Sequence, residues 1–374
     1  MLLQSESPAY TYKYHVDLNI SILANGNEYE AIIFASGIRP QIFPINLTHH
    51  QVDELNEALK QAIEEVRRNC EEDGVSDDIL SSLANTGKYA FNTIFENGAS
   101  TLYQVLKLFH TEKPTTIEIA TRDFFLPWEL LYDGPLDRVE VSHFWGIRHI
   151  LSRTIMQKER PGAMVSPLLQ SSRPKVGLIT CNENALEFVV SREIPMLQEL
   201  GRQGLIFLFP LRPLNAEQRH KELEYFIHFF GEELQIAHLA CHAFEQKPDS
   251  QSYLDIANDF HITIEDFRAR NLVVKYNPLV ILNACLTGMI DSLHISGWAS
   301  EFWKGGARGV VATEFQVPDW FAATFVEKFY EHLLSGVPLG ESIWATRSYF
   351  WEQHRNPLGL AYALYAPLAI RIVK

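Results

Sequence analysis

Two short aliphatic runs, each stopping abruptly at a reactive side chain, constrain this chain more than anything else in it. LQIAHLACHAF (234–244) leads through Leu234, Ile236, Leu239 and Ala240 to Cys241 and His242. LVILNACLTG (279–288) leads through Leu279, Val280, Ile281 and Leu282 to Asn283, Ala284 and Cys285, followed by Thr287 and Gly288. Continuous aliphatic runs of this length suit parallel strands buried on both faces. In an open α/β sheet, chemistry collects outside the carboxyl ends of such strands. A His at one strand end and a Cys at another can then face each other across a crevice, as a thiol nucleophile requires of its base.

The remaining pattern is consistent with that architecture. Residues 14–22 alternate, with Tyr14, Val16, Leu18, Ile20 and Ile22 on one face; Asn25-Gly26-Asn27 supplies a turn, and YEAIIF (29–34) returns as a hairpin partner. Thr48 followed by Gln51 resembles a capping box, opening a helix in which Val52, Leu55, Leu59, Ile63 and Val66 recur at helical spacing. Further helices are expected over 76–84, 87–96 and 99–109, and a strand over 115–120. FFLPWELLYDG (124–134) is an aromatic-rich turn whose Trp128, Leu130, Leu131 and Tyr132 are most simply core. Residues 156–174 hold three prolines and a glycine among polar residues and form a long exposed connection, or a processing loop in which Lys158, Arg160 and Arg173 are accessible. Beyond it, strands at 176–180, 205–209, 234–240, 278–284 and 308–313 alternate with helices at 184–201, 215–230, 319–334 and 339–353. A closing strand pair is expected over 362–373. Such alternation implies a mostly parallel sheet covered on both sides.

Composition enters by exclusion. A chain of 374 residues has ample core for one large α/β unit or two smaller ones. The formal net charge of −14 argues against direct nucleic-acid binding, which calls for a basic surface. The opening MLLQSESPAYTY has no secretory pattern, and no run of about 18 apolar residues exists, so a cytoplasmic location without membrane insertion is expected. Four cysteines, Cys70, Cys181, Cys241 and Cys285, fit a reduced chain rather than a disulfide framework.

Several Cys and His residues compete for a chemical role. The spacing of His238, Cys241 and His242 matches no zinc helix motif and no second CxxC exists, so neither metal nor other cofactor is expected. Cys70 lies in a charged helix and is structural or incidental. Cys181 follows a strand with no His near it in the pattern. Cys241 points away from His242 by strand alternation and suits a buried small hydrophobe. His238 by default is a hydrogen-bonded core histidine. Cys285 differs, because the small and flexible residues after it open space at the sheet edge. A nucleophilic Cys needs partial exposure and a neighbouring base. His242 can take its proton and later protonate a leaving amine. The backbone N–H groups of Ala243 and Cys285 are the natural donors for an oxyanion. Residues alone leave open a catalytic pair or two buried structural side chains.

The ordered blocks LPWELLYD (126–133), IAHLACHAF (236–244), LVILNACLTG (279–288), GWASEFWKGGARGVVATEFQVPDW (297–320), FVEKFYEHLLSGVPLGESIWATR (325–347) and GLAYALYAPLAI (359–370) resemble the CHAT proteases, relatives of caspases and separase. The resemblance covers about residues 115–374. It implies a caspase-like α/β fold, a mostly parallel sheet flanked by helices, divided into an N-terminal pseudo-protease-like half (1–155), the connection 156–174, and a catalytic half (175–374). It also implies His242 as catalytic base and Cys285 as nucleophile. Two positions depart from the family pattern: Ala243 stands where Gly is usual, and Asn283, expected to line the pocket for the residue before the cut, stands where some Arg- and Lys-specific relatives carry Asp. Asp319 lies where separase-like proteins place an acid that pairs with an Arg side chain, with Glu314 a second acidic candidate. Either would favour a basic residue before the cut through a charge-assisted hydrogen bond; alternatively Asp319 caps the helix it opens. The helical repeats common in the family are absent from these residues, so a separate activator or regulatory protein, self-association or loop cleavage is expected to govern activity. The implied function is cleavage of a specific protein substrate in a bacterial stress or antiphage-defence pathway, with gasdermins or CRISPR effectors as associates. The alternative is a catalytically silent scaffold of the same fold.

Overall fold

The computed structural model describes residues 14–373 except 27, 72–73, 110–112, 123, 157–165, 167, 181–186, 210–218, 247–250, 258–259, 271–273 and 287–291. For 170, 219–220, 242–246, 251–252, 256–257, 260, 284–286 and 292–296 it describes backbone alone.

The first sheet follows from the alternating amino-terminal strand. β1 (Leu18–Asn25) buries Leu18, Ile20 and Ile22 and pairs antiparallel with β2 (Glu28–Ala35), as the turn residues lead one to expect. β3 (Gln41–Ile45), not anticipated from the sequence, extends the hairpin on the far side of β2. The expected capping box forms: Thr48 opens α1 (His49–Asn69), its side chain accepting from the Gln51 amide while the Gln51 side chain accepts from the Thr48 amide. The two helices expected over 76–84 and 87–96 are one, α2 (Asp77–Ile94). Gly87 at its middle is a point of close packing, because a Cβ there would lie 2.2 Å from the Leu130 carbonyl oxygen. After α3 (Ala99–Phe109) comes β4 (Thr115–Thr121), parallel to β1. The aromatic block then turns, with Trp128, Leu130, Leu131 and Tyr132 all buried, through α4 (Trp145–Arg148) into β5 (His149–Ile155), parallel to β4. The order is β3-β2-β1-β4-β5.

The expected exposed connection is only partly that. β6 (Leu168–Gln170) lies inside it, while Lys158 and Arg160 lie outside the described residues. Arg173 is tied down, donating from Nε to the Ile206 carbonyl (2.7 Å) and from Nη2 to that of Gly201 (3.1 Å).

The second sheet begins with β7 (Lys175–Thr180). A helix then starts near Glu187, widens into a π turn at Val189–Glu193 and continues as α5 (Ile194–Arg202). The cause is Pro195, which has no N–H to donate and whose ring clashes with the carbonyl four residues back. Widening the turn relieves that clash, with the Ile194 amide reaching five residues back to Val189. The run 205–209 yields only a two-residue strand, β8 (Phe207–Leu208), and α6 (Arg219–Phe229) follows. Next come β9 (Ile236–Gln246), the unanticipated hairpin β10 (Gln251–Ala257) and β11 (Phe260–Thr263), α7 (Ile264–Ala269) and β12 (Leu279–Leu286). α8 (Ser292–Gly305), β13 (Gly309–Thr313), α9 (Asp319–Leu334), α10 (Leu339–His354), β14 (Tyr362–Tyr365) and β15 (Arg371–Val373) complete it. The last two strands do not pair with one another as expected. β14 runs antiparallel to β13, whereas β15 runs parallel to β6.

β8, β7, β9, β12, β13 and β14 lie side by side, all parallel except β14. This doubly wound order reverses between β7 and β9, the kind of switch point at which open α/β sheets place their ligand sites. One edge of β9 serves two partners in turn: β7 through Thr180↔Ala240, then β10 from Asp255↔His242 to Gln251↔Gln246. One face of this sheet packs Leu239, Cys241, Val280 and Leu282 against Phe226, Phe230, Phe267 and Phe302. The other places Ile236, Ala240, Ile281 and Val311 in a cluster that includes Phe321, Phe325 and Phe329 of α9 and extends to Leu18, Ile20, Ile117 and Ile119 of the first sheet. The two sheets therefore share a core.

Candidate active site

β9 and β12 are parallel neighbours, paired from Leu279↔Ile236 to Leu286↔Ala243, and Cys285 is the register partner of His242. Register partners in adjacent strands lie about 4.8 Å apart across the ladder and fall on one face by pleat parity. The side chains of His242, Ala243 and Cys285 lie outside the described residues, as do Cys181, Thr287 and Gly288 entirely. The expectation that both residues terminate their strands needs correction. β9 continues to Gln246 because β10 takes over the edge that β7 leaves, and β12 continues to Leu286.

Directly upstream on that face is a buried polar network. His238 is fully buried; its Nε2 is 2.5 Å from Glu193 Oε1, and its Nδ1 is 3.1 Å from the Tyr330 hydroxyl. The Tyr330 ring stacks on the imidazole at 5.8 Å between centroids. Asn283 donates from Nδ2 to both Glu193 oxygens at 3.1 Å and accepts at Oδ1 from the Tyr362 hydroxyl at 2.8 Å. Burial, joined by the Glu193 carboxylate, pushes the Tyr330 phenol well above its ordinary range, so it stays protonated. The Glu193 carboxylate only accepts, so the His238 Nε2–H donates to it. His238 is thus the hydrogen-bonded core histidine expected of it.

The three residues expected to line a pocket for a basic side chain are dispersed. Asn283 is 1% exposed and engaged at both ends of its amide, so its place is inside this network rather than in an open pocket. Glu314 is also 1% exposed and is gripped by Arg153 of β5: Nη2 donates to Oε2 at 2.9 Å, and Nη1 donates to Oε1. The Tyr365 hydroxyl adds a 2.5 Å bond to Oε1. This corrects the expectation for Glu314, whose carboxylate already has a buried cation. The same Arg153 also grips Glu129, which in turn accepts from Arg347 at 3.1 Å. Burial raises the Glu314 carboxyl above its ordinary value, opposed chiefly by Arg153. Asp319 is half-buried; it sits in the first turn of α9, where Pro318 occupies the cap position, and its Oδ2 accepts from the Phe188 amide at 2.8 Å. It therefore caps the helix leading to α5 rather than its own. Arg192 and Glu327 (2.8 Å) join the same two helices.

Cys241 is buried on the opposite, aromatic-backed face, as strand parity requires. Cys70 is buried too, and burial, aided by Glu71, pushes its thiol up to about 12. Among the described residues, no group of three or more His, Cys, Asp or Glu side chains could hold a metal ion. None of their helices is long and apolar enough to cross a membrane.

Sequence reasoning missed Glu193, Arg153 and Glu129. A signal was present for two of them. Glu129 sits inside the apolar block LPWELLYD and Arg153 inside a strand, and a charge so placed must find a partner when it is buried.

The family model for the CHAT domain matches residues 123–363. No curated protein matches the chain. Among solved structures, the Saccharomyces cerevisiae separase–securin complex at 2.6 Å resolution is similar with a TM-score of 0.50 and 10% identity over 95% of this chain. The complex at 3.0 Å resolution gives 0.49 and 10% over 96%. This chain spans 30% of the length of the chain it matches in either complex.

Proposed function

Because this chain belongs to the CHAT domain family, we propose that it is a cysteine endopeptidase working through a His242/Cys285 dyad. The register pairing of those two residues on adjacent parallel strands is the observation that carries this reading. In the proposed reaction His242 takes the thiol proton and Sγ attacks the scissile carbonyl carbon. The resulting oxyanion is held by the backbone N–H groups of Ala243 and Cys285. The C–N bond then breaks, the imidazolium returns its proton to the departing amine, and water hydrolyses the thioester. General acid–base transfer of this kind contributes roughly 10²–10⁴-fold, and each oxyanion donor about 10²–10³-fold. Of the three pocket candidates Asp319 alone is less than fully buried, and in this reading it is the group that favours a basic residue before the cut.

The substrate is a protein, and a second protein regulates access to the dyad. Support for regulation comes from the separase neighbour, whose structure is of a complex with securin. The setting is a bacterial stress or defence response in the cytoplasm, as the family resemblance implies.

The test is labelling by a peptidyl acyloxymethyl ketone ending in Arg, with peptide mapping of the adduct. The expected result is modification at Cys285 that is abolished in His242→Ala. Equal modification in that variant would remove the dyad and leave a scaffold of protease ancestry.

A further inference from the structure

Glu193 has no part in the dyad chemistry, yet it is wholly buried against the two strands that carry it. Its carboxylate reaches across neighbouring strands, holding His238 of β9 by one oxygen and the Asn283 amide of β12 by both. His238 lies four residues before His242, and Asn283 two before Cys285, on the same pleat parity. Tyr330 and Tyr362 close the two ends of the chain of hydrogen bonds. The π turn supplies the geometry, since it presents Glu193 to the sheet immediately before Pro195.

A buried carboxylate is a poor choice for stability alone, because well-packed apolar residues usually do as well or better. A fastener between two strands does fix their lateral spacing and register. A 1 Å misplacement of reacting groups costs about 10²-fold in rate. We infer that Glu193 is a positioning residue for the dyad, clamping β9 to β12 through His238 and Asn283 so that the His242 and Cys285 positions are held at reacting distance. The inference rests on the dyad reading, and its test separates the two.

The assay is the rate of carboxamidomethylation of Cys285 by iodoacetamide from pH 5.5 to 9.5 in the full chain, read by mass spectrometry of the Cys285 peptide. Cys70, its thiol pushed up to about 12, serves as an unreactive internal reference. His242→Ala comes first: it should move the reactivity midpoint toward the ordinary thiol value near 8.5. An unchanged midpoint there would sink the dyad, and this inference with it, without any change at position 193. Glu193→Gln, folded by circular dichroism, should move the midpoint the same way by about one pH unit, about 10-fold slower labelling at pH 6.5. Tyr330→Phe, which releases His238 Nδ1 but leaves the carboxylate in place, should slow labelling about threefold. A wild-type profile in folded Glu193→Gln would overturn the clamp. Should that variant not fold, a wild-type profile in Tyr330→Phe overturns it instead.

Discussion

Arg153→Met tests the joint between the two sheets. The Arg153 guanidinium, on β5 of the first sheet, lies between Glu129 and Glu314, the latter directly after β13 of the second. All three are buried, so removing the cation leaves Glu314 without its main counter-charge and Glu129 with Arg347 alone. Breaking a buried ion pair from one side costs about 3–5 kcal/mol. At about 2.1 cal/mol/K per residue, unfolding 374 residues carries about 0.8 kcal/mol/K, so Tm should fall by about 4–6 °C at pH 7. Burial already holds the Glu314 carboxyl above its ordinary value, and loss of Arg153 raises it further. The native state then binds a proton that the unfolded state has released, so stability falls as pH rises through that interval. The deficit relative to wild type should therefore narrow between pH 7 and pH 5. Scanning calorimetry of both proteins at the two pH values measures this. A Tm loss under 1 °C, or a gap that does not change with pH, would refute the reasoning.

Thr48→Ala removes the acceptor for the Gln51 amide and should cost about 1 kcal/mol, read by urea titration. Gly309→Ala would place a Cβ 2.1 Å from that of Ala366; overpacking of this sort costs about 1–3 kcal/mol, visible as a lower Tm. Asp319→Ala should cost about 1 kcal/mol by freeing the Phe188 amide; if the residue also binds substrate, cleavage after Arg or Lys falls selectively, whereas equal loss on all peptides assigns it to the cap alone. Cys70, with its thiol pushed up to about 12, should resist iodoacetamide at pH 8 in the native protein and react in urea.

What could be read from sequence alone was local. The capping box at Thr48 and Gln51 is set by residues three apart, and the runs ending in His242 and Cys285 declare buried strands by their own composition. The aromatic face of α9 was legible for the same reason. What could not be read depends on distant pairs. Glu193 meets its histidine 45 residues away, and Arg153 meets Glu314 at a separation of 161. The continuation of β9 past His242 was hidden because it is imposed by β10, whose own composition does not set it apart as a strand. β5 was missed because HILSRTI mixes polar and apolar residues, its Arg153 being buried only through two carboxylates from elsewhere.

The segment joining the sheets is moored on both banks. The Met156 amide donates to the Thr121 carbonyl at 2.7 Å, and on the far side β6 lies along β15 while Arg308 donates to the Ser166 carbonyl. Scission anywhere in 157–165 would thus split the polypeptide without splitting the molecule, since the common core and the Arg153 joint still bind the pieces. Such a nicked protein runs as two bands in denaturing electrophoresis and as one particle in gel filtration.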